Sequence, residues 1–594
     1  MLYPFLPLLT FPTLLYLLYC TVAVQPAYFL QPWPCFCSSL SLNSLYRFSE
    51  KCSIHFKSSH ETVSSTIDGR MEHELKHILN TESGRGTMVL NYDILLLIMN
   101  ELRERSSVFD VMKTCRTLYQ AGIPHFLGLP ICFGCTCESD VYEGFRAYIQ
   151  SYPSRTRYIK NIKMVSNLEE MSECMANLFL LILEKATHLE KLRLHVFLDS
   201  QRHRAVTLPS PLTYSNLVYL EVKWEEDGKQ ERALLLALKA PLKVLKLFFR
   251  LWTARSEGNV EDNPIPLLQN FQQTLEQLDT ANAYWGFEES QEPFILPHVH
   301  SLTIKNRSGI LNTAAIVCTF PNLRHLSVRN DNSEEASQLR SSNISRLHRL
   351  NSRGIKLWSR LKEVRASDYL TLHGLGLLCP VDRLAFGINY PMKETYIQDA
   401  CIMMSELRPS ILNLHCFVEV FLQEHAQHMF EHTGLTHLSS ELHLFGEYSN
   451  ETLLKGRDID AMLDKFAEAL RQATALNYLS VTVVWPTTRS NIKVVLHKYC
   501  EMRFYIETLS SESNLRTLTT RFFNCAPSLM VVVLNFQSMT FTGARGPLLT
   551  VGWRVDRKEG FDSSNSPLSA MSEISPEECI QLDQRFGYRV SGYK

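Results

Sequence analysis

Apolar positions along this chain fall into two textures, a short block with helical spacing and a long region with a recurring strand-like phrase. The block is Leu90 to Leu127, LNYDILLLIMNELRERSSVFDVMKTCRTLYQAGIPHFL, and it predicts three helices. The first runs from about Tyr92 to Arg103, with Asn91 as N-cap, Asp93 in the first turn where the helix dipole favours a carboxylate, and Arg103 and Arg105 at the far end. Every residue from Ile94 to Met99 is apolar, so this helix lacks the polar face a surface helix carries and needs two partners. Leu95, Met99 and Leu102 are expected to face their own module, leaving Ile94, Leu97 and Ile98 for something else. A second helix is expected from Ser106 or Ser107, with Asp110 approximating a capping box and Phe109 and Met112 turned inward. A third begins near Thr114 and holds Cys115, Leu118 and Tyr119, until Gly122, Ile123 and Pro124 break it.

After Pro130 a helix is expected at Val141 to Gln150, a strand in the alternating run Tyr158 to Met164, and an amphipathic helix from Leu168 to Thr187. The phrase L-x-x-L-x-L then recurs: Leu189/Leu192/Leu194, Leu217/Leu220/Val222, Leu242/Leu245/Leu247, Val299/Leu302/Ile304 and Leu323/Leu326/Val328. Later copies are Val381/Leu384/Phe386, Ile411/Leu414/Cys416, Leu476/Leu479/Val481 and Leu529/Val532/Leu534, with weaker ones at Leu275/Leu278, Leu361/Val364 and Leu435/Leu438. Proline often precedes the strand (KAPLKVL, FPNLRHL, CAPSLMV), where a helix must end and no ladder donor is yet required. Helices such as Asp460 to Thr474, with Met462, Leu463, Phe466 and Leu470 on one face, fill the intervals. This is an irregular leucine-rich-repeat pattern, in which each short strand gives alternate side chains to a shared core and a helix returns outside it. The expectation is an α/β fold in which residues 140 to 540 form one array of parallel strands and Leu220, Leu245, Leu302, Leu326 and Leu384 share a buried ridge. An ordinary α/β protein with several core strands is the alternative. Beyond Thr540, Gly552 to Val555 is expected to add a strand and Ser563 to Glu578 to be mobile.

The helical block resembles an F-box, the three-helix motif that binds the Skp-type adaptor of cullin-RING ubiquitin ligases. Leu90, Asp93, Ile94, Leu95, Ile98 and Leu102, then Val108, Val111, Cys115 and Arg116, follow its spacing, and TCRTLYQAGIP is similar to F-box-like proteins of mushroom-forming fungi. Leu90-Asn91 stands where that family usually has Leu-Pro, and Leu118 or Tyr119 where it often has tryptophan. The resemblance covers about 40 of 594 residues and implies an adaptor-binding surface built from Leu90, Ile94, Leu95, Leu97, Ile98, Leu102, Val108, Val111 and Cys115.

Composition narrows the picture. The chain has 60 Lys plus Arg against 61 Asp plus Glu, so no basic excess advertises nucleic acid as a partner. Sixteen cysteines without repeated pairing suit free thiols in a reducing compartment rather than a disulfide framework. Residues 1 to 46 carry no Lys, Arg, Asp or Glu, yet Pro4, Pro7 and Pro12 leave only Thr13 to Val24 as an unbroken run, shorter than the roughly 20 residues a spanning helix needs. This leader also lacks a basic n-region, so a membrane anchor or secretion signal is disfavoured. Candidate chemistry is sparse. Cys132, Cys135 and Cys137 form C-x-x-C-x-C without a second spaced pair, and His425, His428 and His432 have helical spacing without an H-E-x-x-H arrangement, so free thiols and a solvated histidine face are expected. His373-Gly374-Leu375-Gly376 has the look of an oxyanion loop, but no G-x-S-x-G elbow accompanies it. Asn306, Asn343 and Asn450 head glycosylation sequons.

The segments expected are an apolar leader outside the fold (1–40), a Ser-rich linker (41–87), the F-box-like module (88–128), the leucine-rich-repeat-like domain (129–540) and a tail (541–594). The function expected is that of a non-enzymatic, intracellular (cytoplasmic or nuclear) substrate-recognition subunit of a ubiquitin ligase. It would engage the Skp-type adaptor, through it a cullin, and a protein target, with no cofactor, metal, nucleic acid or small-molecule substrate. The alternatives are a leucine-rich-repeat scaffold without a ligase role, and a secreted or membrane-tethered recognition protein.

Overall fold

The computed structural model describes residues 92–133, 139–165, 173–195, 214–224, 229–249, 263–285, 294–306, 311–330, 336–388, 394–431, 433–444, 456–487, 508–509, 511–540, 545–555 and 571–586. The leader, the Ser-rich linker, Leu90 and Asn91 lie outside these, as do Cys135, Cys137, His432 and Asn450. The chain divides into two compact units at Leu129/Pro130.

The first unit contains α1 (Tyr92–Glu101), α2 (Arg105–Met112) and α3 (Arg116–Gly128). Its details differ from the expected ones in five places. Helix α2 starts at Arg105 behind Glu104, which makes no side-chain cap bond, so Ser107 and Asp110 form no capping box; Asp110 instead pairs with Lys113. Cys115 is the N-cap of α3 rather than one of its helical residues, its sulfur accepting from Leu118 N–H. Proline 124 sits inside α3 and does not end it, because Ile123 and Leu127 on either side are buried and their burial outweighs one lost helical hydrogen bond. Nor does Gly122 act as a breaker. A Cβ there would lie 2.4 Å from Met112 Cγ and 3.0 Å from Met99 Sδ, so glycine is what lets the three helices close on one another. Phe109 is exposed, not turned inward, and its ring lies tilted against Phe126 at 5.9 Å with Lys113 above it.

Among its described residues the second unit is a 16-stranded sheet with helices in the connections. In chain order its elements are β1 (Ile131–Phe133), α4 (Ser139–Gln150), β2 (Asn161–Met164), α5 (Glu173–Lys185), β3 (Lys191–Leu194), β4 (Tyr219–Lys223), α6 (Lys229–Ala237), β5 (Val244–Phe248), β6 (Gln277–Ala281), β7 (Ser301–Asn306), α7 (Thr313–Thr319), β8 (His325–Asn330), α8 (Ala336–Ser352) and β9 (Leu361–Ala366). There follow α9 (Tyr369–Leu375), β10 (Val381–Ile388), α10 (Glu394–Leu407), β11 (Ile411–Phe417), β12 (His437–His443), α11 (Gly456–Leu470), β13 (Tyr478–Thr487), α12 (Glu512–Cys525), β14 (Val531–Thr540), β15 (Arg545–Val555), β16 (Met571–Ile574) and α13 (Pro576–Phe586). Each strand pairs with its chain neighbours, parallel from β1 to β14 and antiparallel for β14–β15 and β15–β16.

The register aligns one apolar residue per strand: Leu192, Leu220, Leu245, Leu278, Leu302, Leu326, Val364, Leu384, Leu412, Leu438, Leu479 and Val532. All are buried, because alternate residues of a strand share one face and the connecting helices cover this one. Phe133 of β1, on the same face, meets Phe179 of α5 edge-on at 5.6 Å. One expected copy is displaced. Leu412, not Leu414, aligns with Leu384 and Leu438, so the phrase read at Ile411/Leu414/Cys416 is shifted by two residues. A two-residue slip leaves every side chain on the same face, which is why alternation cannot detect it.

The end of the chain also departs from expectation. Met571 to Glu578, expected to be mobile, forms β16 and the first turn of α13. Ile574 and Cys579 are buried against Tyr478 and Val533, with Val531 and Leu582 packed alongside, so α13 lies on the sheet face opposite the leucines. Gly552 of β15 permits this approach: a Cβ there would stand 2.5 Å from Cys579 Sγ.

Candidate functional site

In the first unit the apolar surface of α1 is divided. Met99 and, just beyond the helix, Leu102 are buried, Leu95 and Ile98 are half-buried, and Ile94 and Leu97 are 42% and 66% exposed. Val108 and Val111 are buried in the packing of α2, and Cys115 is exposed. Polar bonds lock the three helices together: Arg105 donates to Leu129 O at 3.0 Å, and His125 Nε2 lies 3.0 Å from Leu102 O.

In the second unit the strand face opposite the leucines carries the polar residues, and they pair across neighbouring strands. On β3 to β6 the carboxylate of Glu221 is the hub. It receives His195 Nε2 at 2.6 Å and the Tyr219 hydroxyl at 2.6 Å, with Arg193 Nε 3.4 Å away. The hydrogen bond from His195 is the chief reason that the Glu221 carboxyl is held down at about 2, against the opposing effect of its burial. Lys246 is bound to Asp279 at 2.9 Å; burial alone would lower its pKa, but the carboxylate raises it. Further along, Glu363 of β9 takes Arg365 Nε at 2.8 Å and faces His325 Nδ1 of β8 at 3.3 Å.

On β11 and β12 the same face brings together His415, Glu441 and His443. His443 Nε2 lies 2.9 Å from Glu441 Oε1, and His415 Nδ1 3.5 Å from Glu441 Oε2. Burial would raise the Glu441 pKa, but the two imidazoles outweigh it and hold the carboxyl well below the usual range. Beyond this point α13 covers the face, and Asp583 accepts from the Tyr478 hydroxyl at 2.7 Å and from Asn535 Nδ2 at 3.1 Å. Among the described residues this face is ionic and half-exposed over β3 to β9, is buried at Ala385 of β10 and Asn413 of β11, is half-exposed again at His415, Glu441 and His443, and is covered by α13 over β13 and β14.

None of these clusters was among the sequence candidates. The readable signals were charged or polar residues at alternate strand positions, as in Tyr219-x-Glu221 and Glu441-x-His443, but the partner on the neighbouring strand is fixed only by register. The sequence candidates fare differently. His425 bonds Gln398 and His428 pairs with Glu431, in a 3-10 segment rather than an α-helical face. Cys132 is exposed and its thiol is free. The suspected oxyanion loop is the end of α9, where Gly376 at φ +58 forms a left-handed cap against Ile344 and the Arg340 carbonyl. Asn343 is fully buried, its amide donating to Leu311 O and Gly374 O and accepting from Thr313 N–H, so this sequon is a structural bracket. Among the described residues, no helix is long and apolar enough to cross a membrane.

No protein-family model matches this chain, and no curated protein is significantly similar to it.

Proposed function

We propose that this protein is an F-box-like substrate-recognition subunit, with α1 to α3 docking a Skp-type adaptor and thereby a cullin, and with a leucine-rich-repeat-like solenoid presenting its open strand face to a protein target. The observation that carries the reading is the pair Ile94 and Leu97, two large aliphatic side chains exposed on a helix whose Met99, with Leu102 just past its end, is buried. Apolar side chains exposed side by side at a helix surface gain most from a partner that removes them from water, at about 25 cal/mol per Å² covered. The sequential parallel strands and the half-open ionic face support the second part of the reading, since alternating charge offers electrostatic complementarity to a protein surface. The chain then acts by holding a target near a ligase, and the transfer chemistry belongs to other subunits.

The test is a pull-down of the purified chain with purified Skp-type adaptor, followed by recovery of a cullin from native cells. Stoichiometric adaptor binding supports the proposal. Absence of binding by the wild-type chain overturns the ligase role and leaves an interaction scaffold without one.

A further inference from the structure

We propose that His415, Glu441 and His443 form a binding site for a divalent transition metal ion, with zinc as its first candidate, on the open face of β11 and β12. The proposal concerns the second unit alone and stands or falls independently of adaptor binding. Two imidazole nitrogens and one carboxylate oxygen, all within 4.8 Å of one another, are the donor set that suits zinc and its neighbours in the first transition row. In a tetrahedral zinc site with bonds of about 2.0–2.2 Å, ligand atoms stand roughly 3.3 Å apart. His443 Nε2 stands 2.9 Å from Oε1 of Glu441 and His415 Nδ1 3.5 Å from its Oε2, and with all three donor atoms inside 4.8 Å modest side-chain rotation brings them to that spacing.

The backbone holds these ligands in place. Glu441 and His443 are alternate residues of one strand and so share a face, and the register sets Glu441 opposite His415 and His443 opposite Phe417. Phe417 meets the His443 ring edge-on at 6.0 Å and limits its rotation. Side-chain exposure of 12 to 22% makes the pocket dry enough to strengthen coordination yet reachable from solvent. Hydrogen bonding among the three residues leaves one contact unsatisfactory: 3.5 Å from His415 Nδ1 to the carboxylate is too long for a good bond. A metal ion would use that nitrogen fully.

A second observation points the same way. Asn413, two residues before His415 on the same strand face, is buried, and neither its amide nitrogen nor its amide oxygen has a hydrogen-bond partner. A buried carboxamide left this way is destabilising, because it has given up water without gaining a partner. A water or carboxylate completing the metal's coordination would supply a partner to this amide, as outer polar groups do around metal ligands.

The test uses the purified full chain stripped with chelator, then titrated with Zn2+ by calorimetry and with Co2+ by visible absorption. The expected result is one saturable ion per chain, ligand-field bands without strong thiolate-to-metal charge transfer, and a melting temperature that rises with Zn2+. Glu441→Gln and the double variant His415→Ala/His443→Ala should each weaken Zn2+ binding at least about 100-fold. The control His425→Ala/His428→Ala should bind as the wild type does. Circular dichroism checks that the variants fold, and Glu441→Gln, nearly isosteric, keeps the test valid if the double variant does not. Lack of saturable binding by the wild type, binding retained in Glu441→Gln, loss of binding in the control, or a cobalt spectrum dominated by thiolate bands would each overturn the proposal.

Discussion

Glu221 illustrates what a single residue does on the open face. Its carboxyl is lowered from an ordinary 4.5 to about 2, chiefly by the hydrogen bond from His195, so the folded state favours its ionised form. Such a group adds stability that is complete above the unfolded-state pKa and disappears as pH falls through the folded-state pKa. The expected outcome is a contribution of roughly 1–2 kcal/mol at pH 7, discounted for solvent screening at a half-open surface, that fades between about pH 4.5 and pH 2. Denaturant melts of the wild type and Glu221→Gln at neutral and acid pH check this: the two curves should differ at pH 7 and converge in acid. Gly122 makes the opposite kind of contribution, through an atom it lacks. Gly122→Ala should destabilise the helical unit by about 1–2 kcal/mol although alanine is the better helix former, because the methyl would overlap Met112. A rise in thermal stability of that unit would refute this account of its packing.

At the scale of elements, α1 and α13 carry the sharpest expectations. Ile98, half-buried, is a poor probe of docking, since changing it disturbs the helices themselves. Ile94→Asp with Leu97→Asp is the cleaner choice. On the proposed reading the pair abolishes adaptor binding, because a desolvated unpaired carboxylate at an interface is strongly unfavourable, while the melting profile stays within about 0.5 kcal/mol of wild type. A large drop in melting temperature would instead show that these side chains belong to the protein's own core. Helix α13 is tied down by Asp583, which takes hydrogen bonds from Tyr478 and Asn535 in a buried setting. Asp583→Ala removes the acceptor of the Tyr478 hydroxyl and one of the two acceptors of Asn535 Nδ2, which also donates to Ser480 Oγ, and should cost about 1–3 kcal/mol. Hydrogen exchange should then show loss of protection at α13 and β16 first, and unchanged exchange there would contradict the sealing role given to this helix.

Across the second unit, each strand pairs with its chain neighbours, so its stability is expected to be local and additive rather than concentrated in one core. Leu326→Ala, in the middle of the leucine row, should cost about 2–5 kcal/mol. Its effect on amide protection should be greatest in β7 to β9 and small at β2 and β13, measurable by hydrogen exchange. Uniform loss of protection from end to end would mean that the sheet unfolds as a single cooperative body.

Periodicity alone determined a good deal of this architecture. The leucine phrase located most strands and the ridge they share, because a half-covered strand must alternate and a helical return must carry its own apolar stripe. Glu221 and Glu441 lie on the face away from the leucines, but nothing in their local sequence singled them out. Alternation could not fix register, since a period of two is blind to a shift of two, and the copy at Ile411 was displaced for that reason. Tertiary structure decided the remainder. Packing carried α3 through Pro124, the antiparallel return of β15 and β16 brought α13 onto a face the sequence left open, and strand pairing set His415 opposite Glu441. These outcomes depend on contacts between residues far apart in the chain, where local propensity and spacing carry no information.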